Sequence, residues 1–170
     1  MILVVAGVAG SGKTTVGQEL ARRLRWTFAD GDSFHPAGNI AKMRAGLPLT
    51  DTDRKPWLAA ITSWMDDIIA TGQSAVLACS ALKRSYRDEL LGGREQAVMV
   101  FLMISPEQDA TRVLTRHGHF FAEPLLASQY AALEPPDRSE SRVYPVPTGD
   151  QPPGQLAADI VALLLRLHPG

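Results

Sequence analysis

The sequence predicts an α/β fold in which helices cover both faces of a parallel β-sheet. Short apolar runs alternate with segments of helical periodicity along the 170 residues, and repeated β-α units of this kind build parallel sheets that are buried on both faces. A glycine-rich loop, residues 7–14, lies between the first apolar run and the first helical segment. A strand, a glycine loop and a helix in this order are the arrangement of a phosphate-binding loop.

The periodicity of apolar residues predicts the individual elements. The expected strands are residues 2–6, 26–29, 74–79, 97–104 and 142–146. The first expected helix directly follows the glycine loop. The later expected helices are residues 39–45, 53–71, 83–91, 105–116, 124–133 and 155–167. Pro56 would lie in the first turn of its helix, where proline is tolerated. Because ligands of parallel sheets bind at the carboxyl ends of the strands, the residues after each strand are expected to form one rim.

The composition is that of one globular domain, which we take as residues 1–170. Hydrophobic residues make up 45% and charged residues 21% of the chain, which are ordinary values for such a domain. The chain has 17 basic and 18 acidic residues and a net charge of −1. We therefore expect neither a nucleic acid nor a membrane as partner, since both need a broad basic surface.

The compartment is predicted from the cysteine count and the apolar runs. Cys79 is the only cysteine, so no internal disulfide can form and a reducing compartment is expected. Residues 1–6 lack the basic start of a signal peptide and run straight into the glycine loop, which favours a core strand. No apolar run reaches the ~18 residues that a membrane helix needs. We therefore predict a cytoplasmic protein.

The glycine loop fits the pattern G-x-x-x-x-G-K-S/T. Its glycines let the backbone turn tightly with N–H groups facing phosphate oxygens, and the N-terminus of the next helix adds its positive dipole end. Lys13 can reach the β- and γ-phosphates, and the Thr14 hydroxyl can bind Mg²⁺. The expected nucleotide-binding residues of the loop are Gly7, Gly10, Ser11, Gly12, Lys13, Thr14 and Thr15.

The rest of the chain must indicate what receives the phosphate. A switch GTPase is disfavoured because guanine recognition usually needs Asn-Lys-x-Asp, and the only asparagine, Asn39, precedes Ile40. A motor or large ATPase is disfavoured because 170 residues leave no room for a coupled domain. A small-molecule kinase with the shape of the nucleoside monophosphate kinases remains.

Two carboxylates follow the second strand at the expected rim. Asp30 and Asp32 flank a glycine, so that one can lie near Mg²⁺ and the other can orient an acceptor hydroxyl in line with the γ-phosphate. The spacing alone does not decide which of the two carboxylates takes which role. The alternative is an Asx turn that caps the next segment.

Residues 30–58 form the expected acceptor-binding segment. It is polar, and Phe34 is its only aromatic residue before Trp57 apart from His35, whereas a nucleobase acceptor would favour a stacking or apolar slot. Hydroxyl-binding groups mixed with cations suit a polyhydroxylated acid. A solvated loop would explain about half of these charges, and His35 with Pro36 fits a local turn equally well.

Two pairs of cations have i, i+4 spacing, which places side chains on one helix face. Lys83 and Arg87 can face an anionic ligand, or they form a solvated face with nearby acids. Arg112 and Arg116 lead into a loop at residues 117–123, and a phosphate between them would offset their mutual repulsion. Residues 113–134 are therefore the expected lid, which would bring an arginine to the transferred phosphoryl group.

The chain resembles the gluconokinases of the small P-loop family over nearly its whole length. Besides residues 7–14, the matching residues include Asp30-Gly31-Asp32, His35-Pro36, Asn39, Lys42-Met43, Asp51, residues 53–58, residues 79–83, Tyr86-Arg87-Asp88, Arg112, Arg116, residues 118–121, Ser128-Gln129 and Leu133-Glu134-Pro135. The run at 30–58 is far more specific than the glycine loop. Residues 143–153 depart from the family pattern, and this segment would border the adenine.

This resemblance implies a three-layer P-loop kinase fold with a five-stranded parallel sheet and a helical lid, and often a homodimer. It implies phosphorylation of D-gluconate at its terminal hydroxyl with ATP and Mg²⁺. By analogy, Lys13 and Arg116 would stabilise the transferred phosphoryl group with help from Arg112. Thr14, together with Asp30, would hold Mg²⁺, and Asp32 would orient the acceptor hydroxyl. The candidates for binding the rest of the substrate would be Arg54, Lys83 and Arg87 for its carboxylate, and His35.

Two alternatives to this function stay open on the sequence. A kinase for shikimate or another small hydroxy acid would use the same phosphate-binding loop, and a regulator would bind the nucleotide without turnover. Release of ADP that depends on an added sugar acid would separate the enzyme from the regulator.

Overall fold

Five parallel strands form the centre of the computed structural model, which describes residues 1–105 and 123–167. The strands are β1 (Ile2–Ala6), β2 (Thr27–Asp30), β3 (Ala75–Ala78), β4 (Ala97–Met103) and β5 (Val143–Pro147). Their order in the sheet is β2-β3-β1-β4-β5, and all four neighbouring pairs are parallel. The predicted parallel α/β sheet is confirmed.

Six helices accompany the sheet within the described residues. They are α1 (Lys13–Leu24), α2 (Ala37–Arg44), α3 (Asp51–Ala70), α4 (Arg84–Leu91), α5 (Glu123–Ala132) and α6 (Pro153–Leu167). A 3-10 turn, Gly31–Phe34, follows β2. The predicted helix at 105–116 and loop at 117–123, with Arg112 and Arg116, lie almost entirely outside the described residues. None of the described helices has the length and apolar character needed to cross a membrane.

Two apolar layers cover the two faces of the sheet. Side chains alternate across a strand, so Val4 of β1 packs in one layer while Leu3 and Val5 pack in the other. The first layer contains α3 and α4 through Trp57, Leu58, Ile61, Met65, Tyr86, Leu90 and Leu91. The second layer contains α1 and α6 through Val16, Leu20, Ala21, Leu156, Ala157 and Ile160. Helices on both faces leave the carboxyl ends of the strands as the open rim.

Helix α3 begins earlier than the sequence analysis predicts. The Thr50 hydroxyl accepts from the Asp53 N–H at 3.2 Å, and the Asp53 carboxylate accepts from the Thr50 N–H at 2.9 Å. This reciprocal capping box starts the helix at Asp51, so the expected start at Asp53 is wrong and Pro56 lies beyond the first turn. The early start matters for the site, because it brings the first turn of α3 to the rim beside the segment after β2.

Candidate active site

The glycine loop after β1 closes tightly on the sheet. Gly7 has a φ of 141°, and a Cβ atom there would lie 2.8 Å from the carbonyl oxygen of Leu102. A side chain is therefore excluded at this position both by backbone conformation and by space. The buried Ser11 donates its hydroxyl to the Val8 carbonyl at 2.8 Å. These contacts fix the loop immediately before the N-terminus of α1.

Lys13 and Thr14 open α1 and direct their polar atoms along the loop. Lys13 Nζ donates to the Val8 carbonyl at 2.8 Å, so the ammonium lies against the loop where phosphates bind. The Thr14 hydroxyl donates to Asp30 Oδ2 at 3.1 Å. The residues after β1 and after β2 therefore meet at the rim, as predicted.

The Thr14–Asp30 pair provides a donor set that suits Mg²⁺. This ion prefers hard oxygen ligands and uses only one or two protein oxygens when phosphates and water supply the rest. A hydroxyl and a carboxylate in contact next to a phosphate-binding loop fit that description. These residues would hold the ion, which when bound would neutralise charge on the phosphates.

The turn after β2 combines the two roles that the sequence analysis treated as alternatives. Asp30 Oδ1 accepts from the Asp32 N–H at 3.0 Å, as in an Asx turn, while its Oδ2 faces Thr14. Gly31 is buried between them, and a Cβ atom there would lie 2.7 Å from the Ala78 carbonyl oxygen. The Trp57 indole N–H donates to the Gly31 carbonyl at 2.7 Å. Helix α3 and strand β3 thus hold the turn in place.

Asp32 is exposed as a residue, but many protein atoms surround its carboxyl group, and other charged groups are near. Its pKa is raised above the ordinary value of 3.8, first because surrounding protein atoms desolvate the carboxyl and second because the Asp30 carboxylate is near. The Lys13 ammonium opposes this shift. Asp32, Asp30 and Lys13 therefore lie within electrostatic range of one another, which is the arrangement predicted for acceptor, metal and phosphate groups.

Asp32→Asn should lower kcat on the order of 10²-fold, the low end for general base catalysis, because an amide still orients a hydroxyl but cannot take its proton. Initial rates with the acceptor in excess would measure this loss. In the wild type, kcat/KM should fall as the pH drops through the raised pKa of Asp32, since a protonated carboxyl cannot accept the proton of the hydroxyl. The variant should lack that acid limb; an unchanged kcat with a lower melting temperature would reduce Asp32 to a turn residue.

His35 is buried next to the acceptor segment. Its ring stacks on Trp57 with centroids 4.7 Å apart and planes at 10°. Asn39 Nδ2 donates to the Asp53 carbonyl at 2.8 Å and lies 3.3 Å from His35 Nδ1. An Asn nitrogen fixed as a donor makes Nδ1 an acceptor, so the neutral ring carries its proton on Nε2. Burial, and secondarily Arg54, lower the pKa of His35 to about 4.

A charged cluster lies on the other side of the acceptor segment. Lys83 Nζ contacts both Asp51 carboxylate oxygens at 2.8 Å, and the Tyr86 hydroxyl donates to Asp51 in a short hydrogen bond. Arg54 Nη1 lies 3.4 Å from the Tyr86 hydroxyl, and its guanidinium carbon is 5.7 Å from the centre of the Tyr86 ring. Lys83 thus has its own carboxylate, whereas half-buried Arg54 forms no ion pair within residues 1–105 and 123–167.

Arg87 has a structural role in place of the predicted ligand-binding one. Its side chain is 1% exposed and forms a bidentate ion pair with Glu140 at 2.7 and 2.8 Å. Arg87 Nη1 also donates to the carbonyls of Ala81 and Leu82. Ala81 has a φ of 41°, a conformation that costs energy for a residue with a Cβ atom. Arg87 therefore stabilises the turn that leads to Lys83, and the two cations do not share a ligand-facing surface.

Glu140→Gln should lower the free energy of unfolding by about 3 kcal/mol, because it leaves the buried Arg87 charge without its partner. Urea unfolding at pH 7 would measure the loss. Arg87 holds the pKa of Glu140 below its ordinary value, so the pair stabilises the protein above about pH 4.5 and loses this effect as the pH falls through the lowered pKa. The difference in the free energy of unfolding between the variant and the wild type should therefore become smaller at acidic pH. Equal stability at pH 7 would contradict the structural role.

A cavity of about 300 Å³ lies on the outer side of the glycine loop. Gly10, Gly12 and Thr15 line one side of it, and Thr148, Gly149 and Gln151 line the other. The segment after β5 is held there because the Thr148 N–H donates to the Met103 carbonyl at 2.8 Å. The cavity adjoins the phosphate-binding loop, which is where a nucleoside attached to bound phosphates must extend.

Comparison with known proteins first defines the class. The family model for shikimate kinase matches residues 9–163, a range that includes most of the glycine loop, the turn after β2 and the segment after β5. The fold and the site together are those of a P-loop kinase that acts on small molecules.

The relatives define the family within this class. A gluconokinase from Gluconobacter oxydans is 49% identical over 81% of this chain and 78% of its own length. The thermoresistant gluconokinase of Escherichia coli is 38% identical over 97% of this chain and 94% of its own. The crystal structure of a gluconokinase from Sinorhizobium meliloti, 43% identical, has a TM-score of 0.85 and covers 97% of this chain and 91% of that one. The chain belongs to the gluconokinase family.

Several residues at the site carried no assigned role in the sequence analysis. Asp51 and Tyr86 pair with the two cations of the acceptor side, and Trp57 anchors the turn after β2. Gln129 contacts the glycine loop across 120 positions of sequence. The Thr50–Asp53 capping box was a readable signal for the start of α3 and so for Asp51. No local pattern indicates the contact of Gln129.

Proposed function

We propose that the protein is a gluconokinase that transfers the γ-phosphoryl group of ATP to the terminal hydroxyl of D-gluconate. The products are 6-phospho-D-gluconate and ADP. The family relationship supports the enzyme class. On the acceptor side, the observation that carries the proposal is Arg54, a half-buried cation at the rim with no ion pair among the described residues. A substrate carboxylate supplies the anion that this guanidinium lacks.

Each group at the rim has a task in this reaction. Lys13 stabilises charge on the transferred phosphoryl group, and the loop N–H groups hold the phosphates. Asp32 orients the terminal hydroxyl and accepts its proton as the new P–O bond forms. Arg54 binds the carboxylate bidentately, and His35 Nε2–H donates to a hydroxyl of the sugar chain. Lys83, already paired with Asp51, is the weaker carboxylate candidate.

Other parts of the proposal rest on the family resemblance. The chain is one kinase domain, residues 1–170. Residues 113–134 act as a lid that brings Arg116 to the phosphates, and Arg112, which directly precedes the lid, assists it. Thr14 and Asp30 hold Mg²⁺, and the adenosine of ATP occupies the cavity beside Thr148. The enzyme works in the cytoplasm as a homodimer, for which light scattering on the purified protein is the direct test.

The proposed function is tested by ADP release in a coupled assay with MgATP and separate acceptors. Gluconate should support turnover, whereas shikimate, AMP and buffer without acceptor should give rates near background. Faster turnover with shikimate than with gluconate would indicate that the substrate is another hydroxy acid and not gluconate. ADP release that ignores every acceptor would indicate a nucleotide-binding regulator with slow hydrolysis.

A further inference from the structure

One peptide unit of the glycine loop is held from both of its sides. The carbonyl oxygen of Val8 accepts from Lys13 Nζ at 2.8 Å and from the Ser11 hydroxyl at 2.8 Å. The N–H on the other side of the same peptide, that of Ala9, donates to Gln129 Oε1 at 2.6 Å. Because a trans peptide directs its C=O and N–H in opposite directions, Gln129 and Lys13 approach this unit from opposite sides.

The helix that carries Gln129 packs against the core of the protein. Gln129 lies in α5, and Tyr130 and Leu133 next to it pack against the first apolar layer. The chain after α5 is bound to the rim, since the Glu134 N–H donates to the Leu82 carbonyl at 3.0 Å. The Glu134 carboxylate accepts from the Arg84 N–H at 2.7 Å. Gln129 lies within the proposed lid, residues 113–134, and in the arrangement of this structure these contacts hold its amide oxygen against the loop.

We propose that Gln129 is a positioning residue for phosphoryl transfer, because it fixes the orientation of the Val8–Ala9 peptide whose carbonyl locates the Lys13 ammonium. A tilt of this peptide would move the carbonyl and with it the Lys13 amine. Lys13 would then bind the phosphates in a displaced geometry, and small displacements of a charge-stabilising group are costly in the transition state. Gln129 would act through Lys13, since its side chain contacts the backbone of the loop.

A purely structural contact would have a different consequence. Loss of one hydrogen bond to a partly buried amide lowers stability modestly and would leave the rate constant of the folded enzyme unchanged. A positioning contact changes kcat while the KM for gluconate stays the same, because Arg54 and His35 are not disturbed. The inference rests on the proposed phosphoryl transfer, but it makes no assumption about which groups bind the carboxylate.

The test compares Gln129→Met with Gln129→Glu. Methionine has a similar length without the amide oxygen, and glutamate keeps an oxygen acceptor. We expect Gln129→Met to lower kcat about 10-fold to 100-fold, the cost of a misplaced catalytic group, with an unchanged KM for gluconate. Gln129→Glu should recover most of kcat, although its charge near the phosphates should raise the KM for ATP. The matched control is Gln73→Met, an exposed glutamine at the amino end of β3, which should behave as wild type.

The amide NMR spectrum of the substrate-free protein gives a second readout, which does not need turnover. The Ala9 N–H signal should lie downfield in the wild type and in Gln129→Glu, and should move upfield in Gln129→Met. A wild-type kcat in Gln129→Met, or no recovery in Gln129→Glu, would overturn the inference. An inactive wild type would instead overturn the proposed function, and in that case the amide signal alone decides whether the hydrogen bond holds the loop.

Discussion

Lys13→Ala is expected to lower kcat/KM about 10³-fold or more, because it removes the cation that the loop holds at the proposed phosphate site. The alanine variant should still fold, since Lys13 is half-exposed at the start of α1 and contributes nothing to either apolar layer. Initial rates with gluconate and MgATP would measure the loss. Circular dichroism of the variant would check its fold.

The control for this change is Arg138→Ala. Arg138 is exposed between α5 and β5 and forms no ion pair within the part of the chain that the structure describes, so its variant should keep the wild-type rate. A Lys13→Ala enzyme that retains more than a tenth of wild-type kcat/KM, a loss below ~1.4 kcal/mol of transition-state stabilisation, would contradict the assignment of Lys13 to the phosphates.

Arg54→Met is expected to raise the KM for gluconate about 10³-fold with a smaller change in kcat, because the bound carboxylate would lose its cationic partner. The wild type should strongly prefer gluconate to glucose. Glucose has similar hydroxyls but no carboxylate, and a site built for a polar group rejects an analogue that lacks it. In the variant, the ratio of kcat/KM for gluconate to kcat/KM for glucose should decrease. Parallel rate measurements with both acceptors would show this change.

Arg166→Met is the comparison for Arg54→Met. Arg166 is an exposed arginine in the last turn of α6, and its replacement should leave the rates with both acceptors unchanged. Equal rates with glucose and gluconate in the wild type would refute the sugar-acid substrate. A large rise in the KM for gluconate in Lys83→Met, combined with a small rise in Arg54→Met, would indicate that Lys83 binds the substrate carboxylate. Lys83 would then have to break its ion pair with Asp51.

The parts of this site that could be predicted depend on local patterns. The glycine loop, the five strands and the carboxylates after β2 follow from spacing and from the rule that parallel strands end at one rim. Thr14 follows the loop after the first strand, and Asp30 lies at the end of the second strand. Their close approach was therefore expected although they are distant in sequence. Their 3.1 Å contact in the structure follows from the sheet order.

The parts that could not be predicted depend on distant partners. Spacing of i, i+4 indicates that two residues share a helix face, but it does not indicate whether that face is buried. Lys83 precedes α4, while Arg87 lies inside the helix and meets Glu140 across 53 positions of sequence. The shared surface expected for Lys83 and Arg87 therefore does not form. The role of Gln129 was hidden for the same reason, because its partner Ala9 lies at the opposite end of the chain.

The first strand of the chain is the middle strand of the sheet. Ile2 pairs with Ala75 on one side and with Ala97 on the other, so both pairings close very long stretches of chain, a topology that folds slowly. During synthesis the glycine loop leaves the ribosome before the strands on either side of β1, which are complete only when Met103 has followed. A shorter nascent chain carries the whole loop sequence but lacks part of the sheet that holds the loop. We therefore expect a bound nucleotide to assist folding only after β4 has been made.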